Sequence, residues 1–204
     1  SAPMLTFTNG LGGQCGIFGS VTPQLVGNPD PCGNQYSYVW TFTDQCGRTK
    51  THTQTITVNP TPQAQFTNPP LDVTVSCDQV TANLPALQYT NGETGFCSIA
   101  GSVQGQQTGA YDYCGGTLFN EWEFTDNCGR TINHVQTVTV LPAPPATFSN
   151  LPADITVTCD NIPGPDQALN YSNGQNGTCS IQGSVLPTET GTWHACGGFK
   201  EFEW

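Results

Sequence analysis

Positive charge is nearly missing from this chain. Four Lys and Arg stand against fifteen Asp and Glu in 204 residues, a net charge of −11. Nucleic acid is a poor partner for such a surface, since phosphate binding needs clustered Lys and Arg. A basic patch for anionic lipid is missing for the same reason. Charged residues of both signs reach only 9%, against roughly 25% in an ordinary soluble domain; the negative excess suits a long polymer kept soluble by self-repulsion. Long apolar runs are absent too. No segment approaches the ~18 apolar residues of a membrane helix, so direct membrane insertion is not expected. Ser1-Ala2-Pro3-Met4 lacks the basic start and apolar run of a secretory signal, so a secreted protein would carry its targeting segment outside these residues. No Cys-x-x-Cys pair occurs, which disfavours zinc ribbons and thioredoxin-like redox motifs.

What is present is cysteine, glycine and proline: 10, 23 and 16 residues. Without metal or redox spacing, ten cysteines are best explained as disulfides formed in an oxidising, extracellular setting. They fall on a register. Cys15, Cys97 and Cys179 are spaced by 82, and so are Cys32, Cys114 and Cys196, Cys46 and Cys128, and Cys77 and Cys159. Trp40, Trp122 and Trp204 keep the same step. Residues 6–60 laid on 88–142 give 28 identities in 55 positions, and 61–122 laid on 143–204 give 29 in 62. An internal repeat of this size sets the domain count. Residues 1–60 are read as the C-terminal part of a first repeat, 61–142 as a complete second repeat and 143–204 as the N-terminal part of a third. A longer parent protein is implied. Asn59-Pro60-Thr61-Pro62 and Leu141-Pro142-Ala143-Pro144-Pro145 mark short, stiff joints.

Within a repeat the apolar period is two. Val73, Val75 and Cys77 share one face of a strand; Cys97, Ile99, Gly101 and Val103 alternate likewise; Trp122 and Phe124 point inward while Glu121 and Glu123 point to solvent. Asn91-Gly92 and Cys114-Gly115-Gly116 separate the strands. About seven short strands with a central Trp describe a two-sheet sandwich. The expected fold class is therefore all-β: tandem, disulfide-stapled β-sandwich repeats of immunoglobulin-like or fibronectin type.

Successive strands of such a sandwich run between opposite poles. Cys77 then ends a strand at the pole facing the next repeat, Cys114 returns to that pole, and Cys97 and Cys128 share the other. The expected pairs are Cys77–Cys114 and Cys97–Cys128, with copies Cys159–Cys196 and Cys15–Cys46, leaving Cys32 and Cys179 to pair outside these residues. Sequential pairing, Cys77–Cys97 and Cys114–Cys128, is the alternative, because four cysteines allow three connectivities.

No constellation points to catalysis, and an enzyme is not expected. Nucleophilic Ser or Cys needs an adjacent base, and no nucleophile-elbow or phosphate-loop signature occurs. Glu121 and Glu123 are a spaced carboxylate pair, but Val39 and Thr41 replace them in the first repeat, and a glycosidase pair needs a cleft. His52 and His134 are equivalent copies with a shared structural role, and His194 takes the place of Asp30 and Asp112. Asp44 and Asp126 fit Asx turns at the last hairpin. Asp72, Asp78, Asp154 and Asp160 flank the first strand, where calcium would stiffen a joint, although no calcium-loop pattern appears. No other cofactor is expected. Tyr111, Tyr113 and Trp193 lie in the variable segment before the third cysteine of a repeat, where aromatics either contact sugars or partner proteins or cover the sandwich edge.

One segment is distinctive: Trp40-Thr41-Phe42-Thr43-Asp44-Gln45-Cys46-Gly47-Arg48-Thr49, recurring as Trp122-Glu123-Phe124-Thr125-Asp126-Asn127-Cys128-Gly129-Arg130-Thr131. Repeats open with Pro70-Leu71-Asp72-Val73-Thr74-Val75-Ser76-Cys77 or Pro152-Ala153-Asp154-Ile155-Thr156-Val157-Thr158-Cys159. Together these resemble HYR-like immunoglobulin-like repeats of large Bacteroidota cell-surface proteins, with giant gliding-motility adhesins of the SprB type as near relatives. The resemblance implies a structural segment of a long extracellular adhesin or filament stalk, exported by the type IX system and serving attachment or gliding. Its partners would be other repeats of the same chain, surface polysaccharide or motility proteins. The alternatives are a carbohydrate- or protein-binding module, or accessory repeats of a secreted hydrolase.

Overall fold

A computed structural model describes residues 2–204, and the chain is all-β. The first repeat contributes β1 (Leu5–Thr8), β2 (Phe18–Val21), β3 (Gln24–Val26), β4 (Asn34–Thr43) and β5 (Thr49–Val58). The second contributes β6 (Gln65–Phe66), β7 (Val73–Ser76), β8 (Ala86–Thr90), β9 (Ala100–Gln104), β10 (Gln106–Asp112), β11 (Gly115–Thr125) and β12 (Thr131–Leu141). The third contributes β13 (Thr147–Phe148), β14 (Leu169–Ser172), β15 (Gln182–Val185), β16 (Thr188–His194) and β17 (Gly197–Glu203). β10 and β16 both start and end 82 residues apart. The middle repeat supplies the expected seven strands. Among the described residues helix is confined to four three-residue 3-10 turns.

Alternation drives strand formation, since side chains i and i+2 share a face. In β11, Leu118, Asn120 and Trp122 are buried while Phe119, Glu121 and Glu123 are exposed. Val138 and Val140 of β12 are buried around an exposed Thr139. The outward carboxylates Glu121 and Glu123 thus stand where the sequence puts them.

The chain divides into two compact units, each drawing on two successive repeats. The first comprises Ser1–Asn68, Leu87–Val103 and Glu123–Asn133. In it β1 pairs with β2, β3-β4-β5 form an antiparallel sheet, and β6-β8-β9 form another. Aromatic pairs join neighbouring sheets: Phe7 stacks on Phe42 at 3.8 Å and Tyr89 on Phe124 at 3.7 Å. Across β1 and β2, Phe7 faces Gly19. The missing side chain is what admits the ring, because a Cβ on Gly19 would sit 2.8 Å from Phe7 Cζ; Gly101 admits Tyr89 in the same way.

The second unit comprises Pro69–Ala86, Gln104–Trp122 and His134–Trp204. It holds most of the sheet of order β10-β11-β12-β7. β7 joins β12 in parallel, Val73 opposite Val138 and Val75 opposite Val140. Polar side chains hold that register: Thr137 N donates to Asp72 Oδ1 at 2.8 Å, Gln136 Nε2 to the Leu71 carbonyl at 2.6 Å and His134 Nε2 to the Pro70 carbonyl at 2.8 Å. Buried Asn120 completes the row, accepting from Gln107 and donating to Gln136, both at 2.9 Å. The corresponding segment of the third repeat, Ile155–Thr158, is not a strand, and Ile155 is 68% exposed. The 204 residues hold two copies of the β12 sequence, at β5 and β12, and none for Ile155–Thr158 to pair with. A parallel edge strand has no hairpin to hold it, so without its neighbour it has no ladder.

Each repeat is anchored by its tryptophan. Trp40, Trp122 and Trp204 donate from Nε1 to the carbonyls of Pro3, Pro85 and Gln167, at 3.0, 3.0 and 2.8 Å, each 37 residues upstream. Trp122 is 1% exposed. The bond satisfies the indole N–H inside an apolar setting, where an unpaired donor is costly.

Candidate functional site

The joints between repeats hold both disulfides, the Arg130–Asp126 ion pair and the buried Thr61. Each repeat has four cysteine positions. The first, Cys77 in the middle repeat, begins a 3-10 turn after β7. The second, Cys15, Cys97 or Cys179, ends another such turn. Asn9, Asn91 and Asn173 build that turn: each Nδ2 donates to the carbonyl of the second cysteine at 2.8 Å, and each Oδ1 accepts two backbone amides.

The third position, Cys32, Cys114 or Cys196, sits in a tight hairpin turn. Its amide donates to Asp30 Oδ1 at 2.8 Å, Asp112 Oδ1 at 2.7 Å and His194 Nδ1 at 3.1 Å respectively. Asp and His interchange here because both present an acceptor to the amide two residues on. The next residue has positive φ, +88° at Gly33 and +90° at Gly115, a region glycine enters without penalty. The fourth position, Cys46 or Cys128, lies in the hairpin turn at the far end of the long strand. Asp126 shapes that turn, accepting the Cys128 and Arg130 amides at 2.9 Å on Oδ1 and Arg130 Nε at 2.8 Å on Oδ2. Asp44 repeats this with Cys46 and Arg48. Both are Asx turns, as expected. Burial pushes the Asp126 carboxyl up, but the Arg130 amide and guanidinium and the Cys128 amide outweigh it and hold the group below its ordinary value. The Arg48 amide, followed by its guanidinium, holds Asp44 below that value too, against desolvation.

None of the four expected disulfides, Cys15–Cys46, Cys77–Cys114, Cys97–Cys128 and Cys159–Cys196, is formed, nor is the sequential alternative. The bonds are Cys32–Cys128 and Cys77–Cys179. Cys32 and Cys179, expected to pair outside these residues, are both bonded within them. Both bonds run from one repeat to the next, where closure within a repeat was expected. Cys77 Sγ does lie 3.5 Å from the Asp112 carbonyl, beside the turn that carries Cys114. But the first and third cysteines face the following repeat, and each bonds a cysteine presented by it. The third and fourth cysteines of one repeat cannot meet: β4, ten residues long, stands between Cys32 and Cys46. At ~3.3 Å per residue that is roughly 33 Å, against the ~6 Å Cα separation a disulfide needs.

The first joint is built around Thr61, which is 5% exposed. Its amide donates to the Pro31 carbonyl of the first repeat at 2.8 Å, in the turn that holds Cys32. Its hydroxyl donates to the Cys97 carbonyl at 2.9 Å and accepts from Asn91 Nδ2 at 3.0 Å. Arg130 Nη1 donates to its carbonyl at 2.7 Å while Nη2 pairs with Asp126 at 2.8 Å. The guanidinium therefore ties the turn of Cys128 to the joint that Cys32–Cys128 spans. In the second joint Ala143 N donates to the Tyr113 carbonyl at 2.9 Å, the counterpart of the Thr61 bond. Here the disulfide is buried: Cys77 and Cys179 are each 4% exposed and cluster with Leu118, Val138 and Val140, against which Val75, Val80, Tyr111 and Ala143 pack. Sequence reasoning missed both Thr61 and the second role of Arg130. Recurrence of Arg48 and Arg130 after the fourth cysteine was the available signal, but nothing in it names a partner 69 residues away.

The three aromatics singled out for ligand contact do not form one surface. Tyr111 packs into the second joint. Tyr113 is 48% exposed, and its carbonyl serves the joint. Trp193 is 49% exposed and lines a groove of about 600 Å³ with Ile155, Val157, Phe199, Phe202 and Trp204. Asp78 accepts from Ser76 Oγ at 2.6 Å, and a hydrogen bond from Thr158 holds Asp160 below its ordinary value. Among the described residues no three His, Cys, Asp or Glu gather as a metal site would require. No helix among them is long and apolar enough to cross a membrane. In comparison with known proteins, the chain matches no family model and no curated protein.

Proposed function

We propose that this chain is a load-bearing structural segment of a long extracellular protein, projecting an adhesive region from a cell surface. The observation that carries the reading is the direction of the disulfides: they join successive repeats instead of stapling each one internally. An internal staple protects one domain from unfolding. A bond across a joint transmits tension to the next repeat even if hydrogen bonds at the joint give way. Disulfides, a −11 charge and an all-β chain of repeats agree with extracellular use. The resemblance to HYR-like repeats of surface adhesins points the same way, with attachment or gliding as the role.

Electron cryo-tomography of intact cells, labelled with an antibody against the middle repeat, tests this directly. Label distributed along thin filaments anchored at the cell surface is expected. Label found only on soluble particles in the medium overturns the reading in favour of a secreted protein with accessory repeats.

A further inference from the structure

Two pairing rules account for the bonded cysteines. The third cysteine of a repeat bonds the fourth of the next, Cys32 to Cys128 across 96 residues. The first bonds the second of the next, Cys77 to Cys179 across 102. Six cysteines remain as thiols: Cys15, Cys46, Cys97, Cys114, Cys159 and Cys196. Under these rules each of the six needs a partner that the 204 residues do not contain. Cys114 and Cys196 are third cysteines and require a fourth cysteine 96 residues on, beyond Trp204. Cys159 is a first cysteine and requires a second one 102 residues on. Cys15 and Cys97 are second cysteines, and Cys46 is a fourth; their partners would stand 102 and 96 residues earlier, before Ser1. No cysteine whose rule-given partner lies in the chain is left reduced, and none whose partner lies outside has found a substitute. Two rules thus sort all ten.

We propose that these six thiols are the open halves of the same two inter-repeat disulfides, set to bond further repeats of this type on either side. Five of the six are exposed, whereas both cysteines of the bonded pair Cys77–Cys179 are buried in the joint they close. The partner is an adjoining repeat with the same cysteine register, so every joint of the assembled protein carries two disulfides. Each bond forms as two thiols surrender two protons and two electrons to a small-molecule or protein disulfide, which is reduced to two thiols in exchange. The proposal rests on the pairing alone and holds whatever the cellular role.

The test is to count thiols and bonds while the number of repeats changes. The 204-residue chain is oxidised with a low-molecular-weight disulfide, its thiols are alkylated under denaturing conditions, and cross-linked peptides are mapped without reduction. A second chain carries one additional copy of residues 61–142 after Pro142, which raises the cysteines from ten to fourteen. The first chain is expected to show two disulfides and six thiols. The second should show four disulfides and still six thiols, because inserting a repeat adds one complete joint and no open half. Five disulfides and no thiol in the first chain overturn the proposal, as do ten thiols in the second. Should the longer chain not fold, Cys114→Ser in the original is decisive. It should leave both disulfides and five thiols; loss of either disulfide overturns the proposal.

Discussion

Arg48 and Arg130 occupy the same position of successive repeats and do unequal work. Arg130 is 27% exposed, bonds an Asp126 side chain that is 2% exposed, and reaches the Thr61 carbonyl; Arg48 is 71% exposed and, among the described residues, bonds only Asp44 and its own turn. Arg130→Ala is expected to lower the urea midpoint by an amount equivalent to roughly 2 kcal/mol, since it strips charge-assisted bonds from a buried carboxylate. Arg48→Ala should shift the midpoint clearly less, because exposed ion pairs contribute little; equal effects would refute the joint role of Arg130. Acid should act on the same groups. Asp126 and Asp44 both have folded-state values below the ordinary 3.8. Their contribution is therefore complete above about pH 4 and is lost as pH falls through the lower folded values. Urea midpoints measured from pH 6 to pH 2 should fall below about pH 4, and less steeply in Arg130→Ala.

Strands carry the part of the structure that local sequence can specify. Period-two alternation gave the inward Trp122 and outward Glu121 and Glu123, and glycine-rich breaks gave the turns. Aromatic–glycine pairs belong to this scale as well. A Cβ on Gly101 would lie 2.6 Å from Tyr89 Oη and 2.9 Å from Cζ, and stacking on Phe124 at 3.7 Å limits how far that ring can retreat. Gly101→Ala should cost roughly 1–3 kcal/mol, read as a lower unfolding midpoint; an unchanged midpoint would show that the ring moves freely. β7 was legible as a strand from Val73 and Val75, but its parallel seat on β12 was not. That seat depends on Asp72 meeting an amide 65 residues away. The cysteine pairing failed for a related reason. Register assigns each cysteine to a pole, yet a pole has two possible partners, one beside it and one across the joint. Thr61, held by Pro31 on one side and by Cys97 and Arg130 on the other, closes the joint enough for the crossing bond. Nothing local to the cysteines encodes that closeness.

At the scale of the whole chain the disulfides close loops of 96 and 102 residues. The chain-entropy account assigns about 4–5 kcal/mol to a loop near 100 residues, and two overlapping loops contribute less than their sum. Cys77→Ser combined with Cys179→Ser should therefore lower the urea midpoint strongly. Reduction of the unmodified chain should lower it further, but by less than a second equal step; strictly additive steps would mean that the loops act independently. The overlap has another consequence. One loop runs from Cys32 to Cys128 and the other from Cys77 to Cys179, so every peptide bond between Cys32 and Cys179 lies inside at least one of them. A protease that cuts once anywhere in this stretch leaves two fragments still covalently joined, and between Cys77 and Cys128 they are joined twice. Such a chain, cut once in this stretch, separates into pieces only when a reductant is also present.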